Sequence, residues 1–77
     1  MSDEGKRWFE VWVDDGIDPP YLLLLRPHPT EPERVLIHDP KECYSVVYHA
    51  RNYHIAKMWL LEEEYTLVAG RTFLDLN

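Results

Sequence analysis

The stretch Tyr21-Leu-Leu-Leu-Leu-Arg26 restricts the fold more than any other part of this chain. Pro19 and Pro20 precede it and Pro27 and Pro29 follow, so a helix cannot extend through it in either direction. Six residues of near-continuous apolar character then read as a strand. A strand with apolar side chains on both faces belongs inside a sheet, with a neighbour on each side and cover above and below. The chain has 77 residues to supply that cover. A domain of this size removes only about 60% of the surface its unfolded chain exposes, so we read residues 1–77 as one small domain with a thin stability margin. Residues 1–6 read as a flexible N-terminal tail.

The neighbouring segments supply the partners. Trp8 to Asp14 alternates, with Phe9, Val11 and Val13 on one face and Trp8, Glu10 and Trp12 on the other. Asp14-Asp15-Gly16 is hairpin chemistry, and Pro19-Pro20 stiffens entry into the leucine strand. After a Pro-rich loop, residues 27–33, Arg34 to His38 forms a third strand. Asp39-Pro40-Lys41-Glu42 is a turn, and Cys43 to Ala50 a fourth strand. Asn52 is an N-cap for the one convincing helix, from Tyr53 toward the Glu62-Glu63-Glu64 run, with Ile55, Ala56, Trp59 and Leu60 on one stripe. Three acids at a helix C-terminus oppose the macrodipole, so the helix stops near Leu61 or the acids have partners. Tyr65 to Thr72 is the last strand.

The order is therefore ββββαβ, an α+β fold: an antiparallel sheet of about five strands with one helix packed on one face. A four-strand meander followed by a crossing helix returns the fifth strand beside the first, giving the sheet order 4-3-2-1-5. One helix covers one face. We expect it over Phe9, Val11, Val13, Val35, Ile37, Tyr44, Val46, Tyr48 and Leu67, because that set is purely apolar. The opposite face then carries Trp8, Trp12, Leu36, Val47 and Val68 among Glu10, His38, Ser45, His49 and Thr66.

Charge and chemistry narrow the function. Fourteen acids against eight bases give a formal net charge of -6, which disfavours a phosphate backbone as partner. Trp8 and Trp12 would suit base stacking, but Glu10 stands between them and no basic cluster surrounds them. Cys43 is the only cysteine, so an intrachain disulfide is impossible and the plain reading is a reduced, cytoplasmic protein. No apolar stretch is long enough to span a bilayer, and no membrane partner is expected. Asp14, Asp15 and Asp18 do not fit a calcium loop: with Gly16 at its sixth position, Val11 and Val13 would stand where oxygen ligands are needed. His28, His38, His49 and His54 have no ligand spacing, so no metal is expected. Ser45 and His49, four residues apart on a strand, lie about 13 Å apart, beyond hydrogen-bond reach. We expect no catalytic residues, no cofactor and no enclosed cleft of ligand size.

What remains is a surface. A sheet face with two tryptophans and several aliphatics exceeds what a monomer usually exposes. We therefore expect a small acidic interaction or regulatory module that forms a homodimer or binds another protein through the face opposite the helix. The contact residues would be Trp8, Glu10, Trp12, Leu36, His38, Val47 and His49. The competing arrangement has the Pro-rich loop, residues 27–33, and the N-terminal residues folded over that face within one chain. A separate class, an acidic inhibitor or immunity-type protein, would use Asp14, Asp15, Asp18 and Glu62 to Glu64 to steer onto a basic partner.

Overall fold

The computed structural model describes residues 7–74. It contains strands β1 (Arg7–Asp14), β2 (Tyr21–Pro27), β3 (Val35–Asp39), β4 (Ser45–Ala50) and β5 (Thr66–Leu74), with helix α1 (Tyr53–Glu62) before β5 and a 3-10 turn (Pro40–Glu42) before β4. The five strands form one antiparallel sheet in the order β4-β3-β2-β1-β5. The leucine strand is central, as its two-sided apolarity requires, and the element order is the one the periodicities predict.

The helix ends follow local chemistry. Asn52 is extended, and its side chain accepts a hydrogen bond from the Ile55 amide at 2.9 Å. This satisfies one of the amides that a helix start leaves without a partner. At the other end Glu64 is left-handed (φ 67°), the Glu64 amide donates to the Leu61 carbonyl and the Tyr65 amide to the Leu60 carbonyl. That pair of bonds is a Schellman closure, built here on a glutamate where glycine is the usual residue. Tyr65 completes it by packing on the core that holds Leu60.

The helix covers the face that the sequence reading leaves open. Register places Trp12 beside Leu23, Glu10 beside Leu25, Leu25 beside Ile37 and Ile37 beside Tyr48. Trp12, Leu23, Leu25, Val35, Ile37 and Ala50 are buried there against Ala56 and Leu60 of α1. Trp8, Tyr48, Tyr53 and Trp59 close the margin, with the Tyr48 and Trp59 rings stacked at 4.8 Å. Trp8, Glu10 and Trp12 are thus beneath the helix, and Phe9, Val11 and Val13 lie on the opposite side. The physical reason is area: tryptophan buries far more apolar surface than valine, and Glu10 enters the core because its own chain satisfies it.

Two further expectations change. Val46 pairs with His38 on the open face, because β3 and β4 shift register between Ile37 and His38. The shift leaves Val47 as the extra residue of a bulge, 43% exposed, and puts Ser45 opposite Asp39 on the helix side. Tyr44 does not face the helix: Cys43 (φ 58°) and Tyr44 (φ 61°) are both left-handed, so β4 begins only at Ser45. Of the competing arrangement, the Pro-rich connection reaches only the His49 end of the open face and leaves Leu22, Val46 and Val68 exposed. Its Arg34 amide donates to the Glu31 carbonyl and the His28 amide to the Arg34 carbonyl, which holds it at one end of the sheet. The expected tail, residues 1–6, lies outside the described residues. Among the described residues no helix is long and apolar enough to cross a membrane.

Candidate functional site

The open face is organised in rows across the strands. Val46, His38, Leu24, Val11 and Val68 stand on successive strands in register, one per strand from edge to edge. Leu22, Val13 and Thr66 form the next row toward the β1–β2 hairpin, while His49, Leu36 and Arg26 lie toward the other end. Leu22, Val46, Val68 and Leu74 are 42 to 50% exposed. Between the two ends the described residues of this face include no Asp, Glu or Lys, an arrangement unlike a solvated sheet surface.

Of the residues expected at a partner surface, Trp12, Glu10, Leu36 and His38 are buried within their own chain, and Trp8 is half-buried. Leu36 and His38 do belong to the open face by register, but as its floor. Val47 and His49 alone of the seven are exposed. The sequence reading puts Val68 on this face without counting it a contact; it misses Val11 because the parity of β1 is inverted, Leu22 and Leu24 because the register of the four leucines is invisible in the chain itself, and Val46 because β4 is bulged.

His38 is fixed in one tautomer by its partners. Arginine only donates, so the Arg26 Nε bond to His38 Nε2 at 2.9 Å leaves the proton on Nδ1, which donates to the Tyr44 carbonyl at 2.7 Å. This ties β2, β3 and the left-handed Cys43-Tyr44 turn together. His28 and His49, distant in the chain, stack with ring centroids 5.6 Å apart.

Beneath the helix, Glu10 is 3% exposed and accepts hydrogen bonds from Trp12 Nε1 (3.0 Å), the Tyr53 hydroxyl (3.0 and 3.1 Å to its two oxygens) and Arg71 Nε (3.0 Å). Arg71 reaches it through a bulge in β5, where Ala69 (φ 59°) and Gly70 (φ 82°) are left-handed and the β1 pairing jumps from Phe9–Thr72 to Val11–Val68. The Arg71 guanidinium lies 3.5 Å from the Trp8 ring centre and 4.8 Å from that of Tyr53. Burial, and then the bond to Glu10, push the Tyr53 hydroxyl above the usual tyrosine pKa. Glu10 directs its acceptors at its own chain, so it positions strand, helix and bulge and offers nothing to a partner. Among the described residues no group of three or more His, Cys, Asp or Glu side chains is arranged to hold a metal ion.

Antiparallel pairing also sorts the charges. Arg7, Arg26, Arg34 and Arg51 fall at one end of the strands, with His28 and His49. Asp14, Asp15, Asp18, Asp39, Glu42 and the glutamates closing α1 fall at the other. Among the described residues, Glu31 and Glu33 at the basic end and Lys41 at the acidic end are the exceptions. At the basic end, contrary to expectation for a domain this small, a cavity of about 350 Å3 opens between the start of β1 and the Pro-rich connection. No protein-family model, no characterised protein and no solved structure matches this chain.

Proposed function

We propose that this protein pairs with a second copy of itself through the open sheet face, acting as a small acidic interaction module. The observation that supports the reading most is the combination on one face of an uncharged apolar centre with ends of opposite charge. A two-fold axis lying in the interface and running across the strands brings the centre of one copy against the centre of the other. It also sets the Arg7 and Arg26 end of each copy opposite the partner's Asp14 to Asp18 hairpin. Chains of charge -6 repel overall, and this is the orientation that turns their local fields to attraction.

Five strands at about 4.8 Å spacing and about 20 Å of strand give a footprint of about 480 Å2 per copy, about 60% of that of a standard interface. A footprint this small fits weak, reversible pairing, with a dissociation constant from about micromolar to about 1 mM. Sedimentation velocity over a concentration series tests this. The expected result is a reversible monomer–dimer equilibrium that Leu22→Lys and Val68→Lys each weaken about tenfold or more, with the monomer's unfolding midpoint changed little since both side chains are nearly half exposed. Met58→Lys, on the outer face of α1 and 46% exposed, leaves pairing unchanged. A chain that stays monomeric at about 1 mM overturns the reading, as does pairing that responds to Met58→Lys and not to the sheet-face variants.

A further inference from the structure

The cavity at the basic end has the chemistry of a ligand site. Its lining combines the polar residues Arg7, Arg26, His28 and Thr30 with the apolar Trp8, Pro27, Pro29 and Pro32. No carboxylate is among these lining residues. In a chain with nearly two acids per base, two arginines and a histidine converging without an acid is an uneven distribution that the topology creates. The volume, about 350 Å3, falls in the range of small-molecule sites.

The donors are held in place. Arg26 is anchored by its Nε bond to His38, whose other nitrogen is fixed on the Tyr44 carbonyl. That anchoring leaves the terminal nitrogens of the guanidinium as a preset fork, the geometry that takes two oxygens of one oxyanion. Arg26 Nη1 also lies 3.5 Å from the Pro27 carbonyl, a long contact that an anion displaces easily. His28 Nδ1 accepts from the Thr30 and Glu31 amides at 3.1 and 3.2 Å, so its proton sits on Nε2 and the ring contributes a donor to the same lining. The His49 ring stacked on His28 limits its rotation. The Trp8 indole is steadied by the Arg71 guanidinium on its ring and by an edge contact with Tyr53.

We propose that this cavity binds a phosphate monoester carried on a flat apolar body. Two arginines match the charge of about -1.5 to -2 that such a phosphate bears near neutral pH, better than a single carboxylate does. The tryptophan and prolines receive the body. The cavity is lined by one chain, so this assignment does not rest on self-pairing.

The test is a titration with phenyl phosphate followed by nitrogen-15 NMR, with inorganic phosphate, benzoate and phenol as comparison probes. The protein is held well below the concentration at which any pairing is seen. The expected result is saturable shifts at the Trp8 indole and the His28 and Thr30 amides, with a dissociation constant of about 1 mM or lower. Benzoate and inorganic phosphate bind more weakly and phenol not measurably. Arg7→Gln, a change at an exposed side chain, weakens phenyl phosphate about tenfold. Arg26→Lys keeps the charge but loses the fork, and also weakens it. Absence of saturable shifts up to about 10 mM overturns the proposal. Inorganic phosphate binding as tightly as phenyl phosphate overturns the role of the apolar lining, and shifts unaffected by Arg7→Gln overturn the site.

Discussion

Glu10→Ala should be among the most damaging single changes in this protein. The substitution removes the acceptor for three donors at once: Trp12 Nε1, the Tyr53 hydroxyl and Arg71 Nε. Breaking one side of a buried ion pair costs about 3–5 kcal/mol when the surviving charge is stranded. Arg71 is not wholly stranded, since its side chain is 31% exposed and can be hydrated again. The indole nitrogen has no such escape, because Trp12 is 2% exposed, and an orphaned buried donor costs about 1–3 kcal/mol. Taken together the loss is about 3 kcal/mol, against a total stability of about 4–12 kcal/mol for a chain of this length. Urea unfolding followed by tryptophan fluorescence measures it, with an unchanged slope required for a stability comparison. Glu10→Gln keeps one acceptor oxygen but presents an amide donor to the remaining partners, so it should cost about half as much. It also preserves the measurement if the alanine variant does not fold. A Glu10→Gln protein as stable as the parent, or Glu10→Ala within about 1 kcal/mol of it, would refute the reasoning that this carboxylate organises the helix, β1 and the β5 bulge.

Other changes probe single local terms. Glu64→Gly should stabilise by about 0.5–1 kcal/mol, because it relieves a left-handed glutamate and removes an acid from the helix C-terminus; thermal unfolding reads it directly. Gly70→Ala meets nothing within 4 Å, so the whole of its expected cost, about 1 kcal/mol in urea unfolding, reflects the left-handed backbone. Asn52→Ala should lose about 1 kcal/mol through the missing bond to the Ile55 amide, read in the same assay. Alkaline unfolding should carry a tyrosine signature. The hydrogen bond from the Tyr21 hydroxyl to Asp39 is the main cause that pushes its pKa up to about 12 from 10.0, so the folded chain holds a proton that the unfolded chain releases. That contribution is complete below pH 10 and is lost as pH rises toward 12. Tyr53 and Tyr65 shift in the same direction, and Tyr21→Phe should flatten the slope in a stability-versus-pH series.

The local pattern of this sequence determines its elements and their order. Prolines on both sides of the leucine run forbid a helix, alternation marks β1 and β4, and Asn52 with a 3.6-residue stripe marks α1; these signals act within a few residues and survive without tertiary context. Sheet order follows because a meander with one crossover leaves few arrangements. The side of β1 that enters the core was not local information. Phe9, Val11 and Val13 look like the buried set until Tyr53 from the helix and Arg71 from the last strand arrive to satisfy Glu10, and both are distant in the chain. The bulge that turns Val46 outward has no local signal in β4, and the one that brings Arg71 inward places Ala69 beside Gly70 in the left-handed region, where only the glycine is of a type that advertises it. Charge behaves likewise. Along the chain the acids collect at both termini and the middle is nearly neutral, whereas antiparallel pairing gathers arginines at one end of the sheet and acids at the other. That polarity, and the cavity it surrounds, are properties of topology, because a sheet places residues side by side according to register and without regard to their distance in sequence.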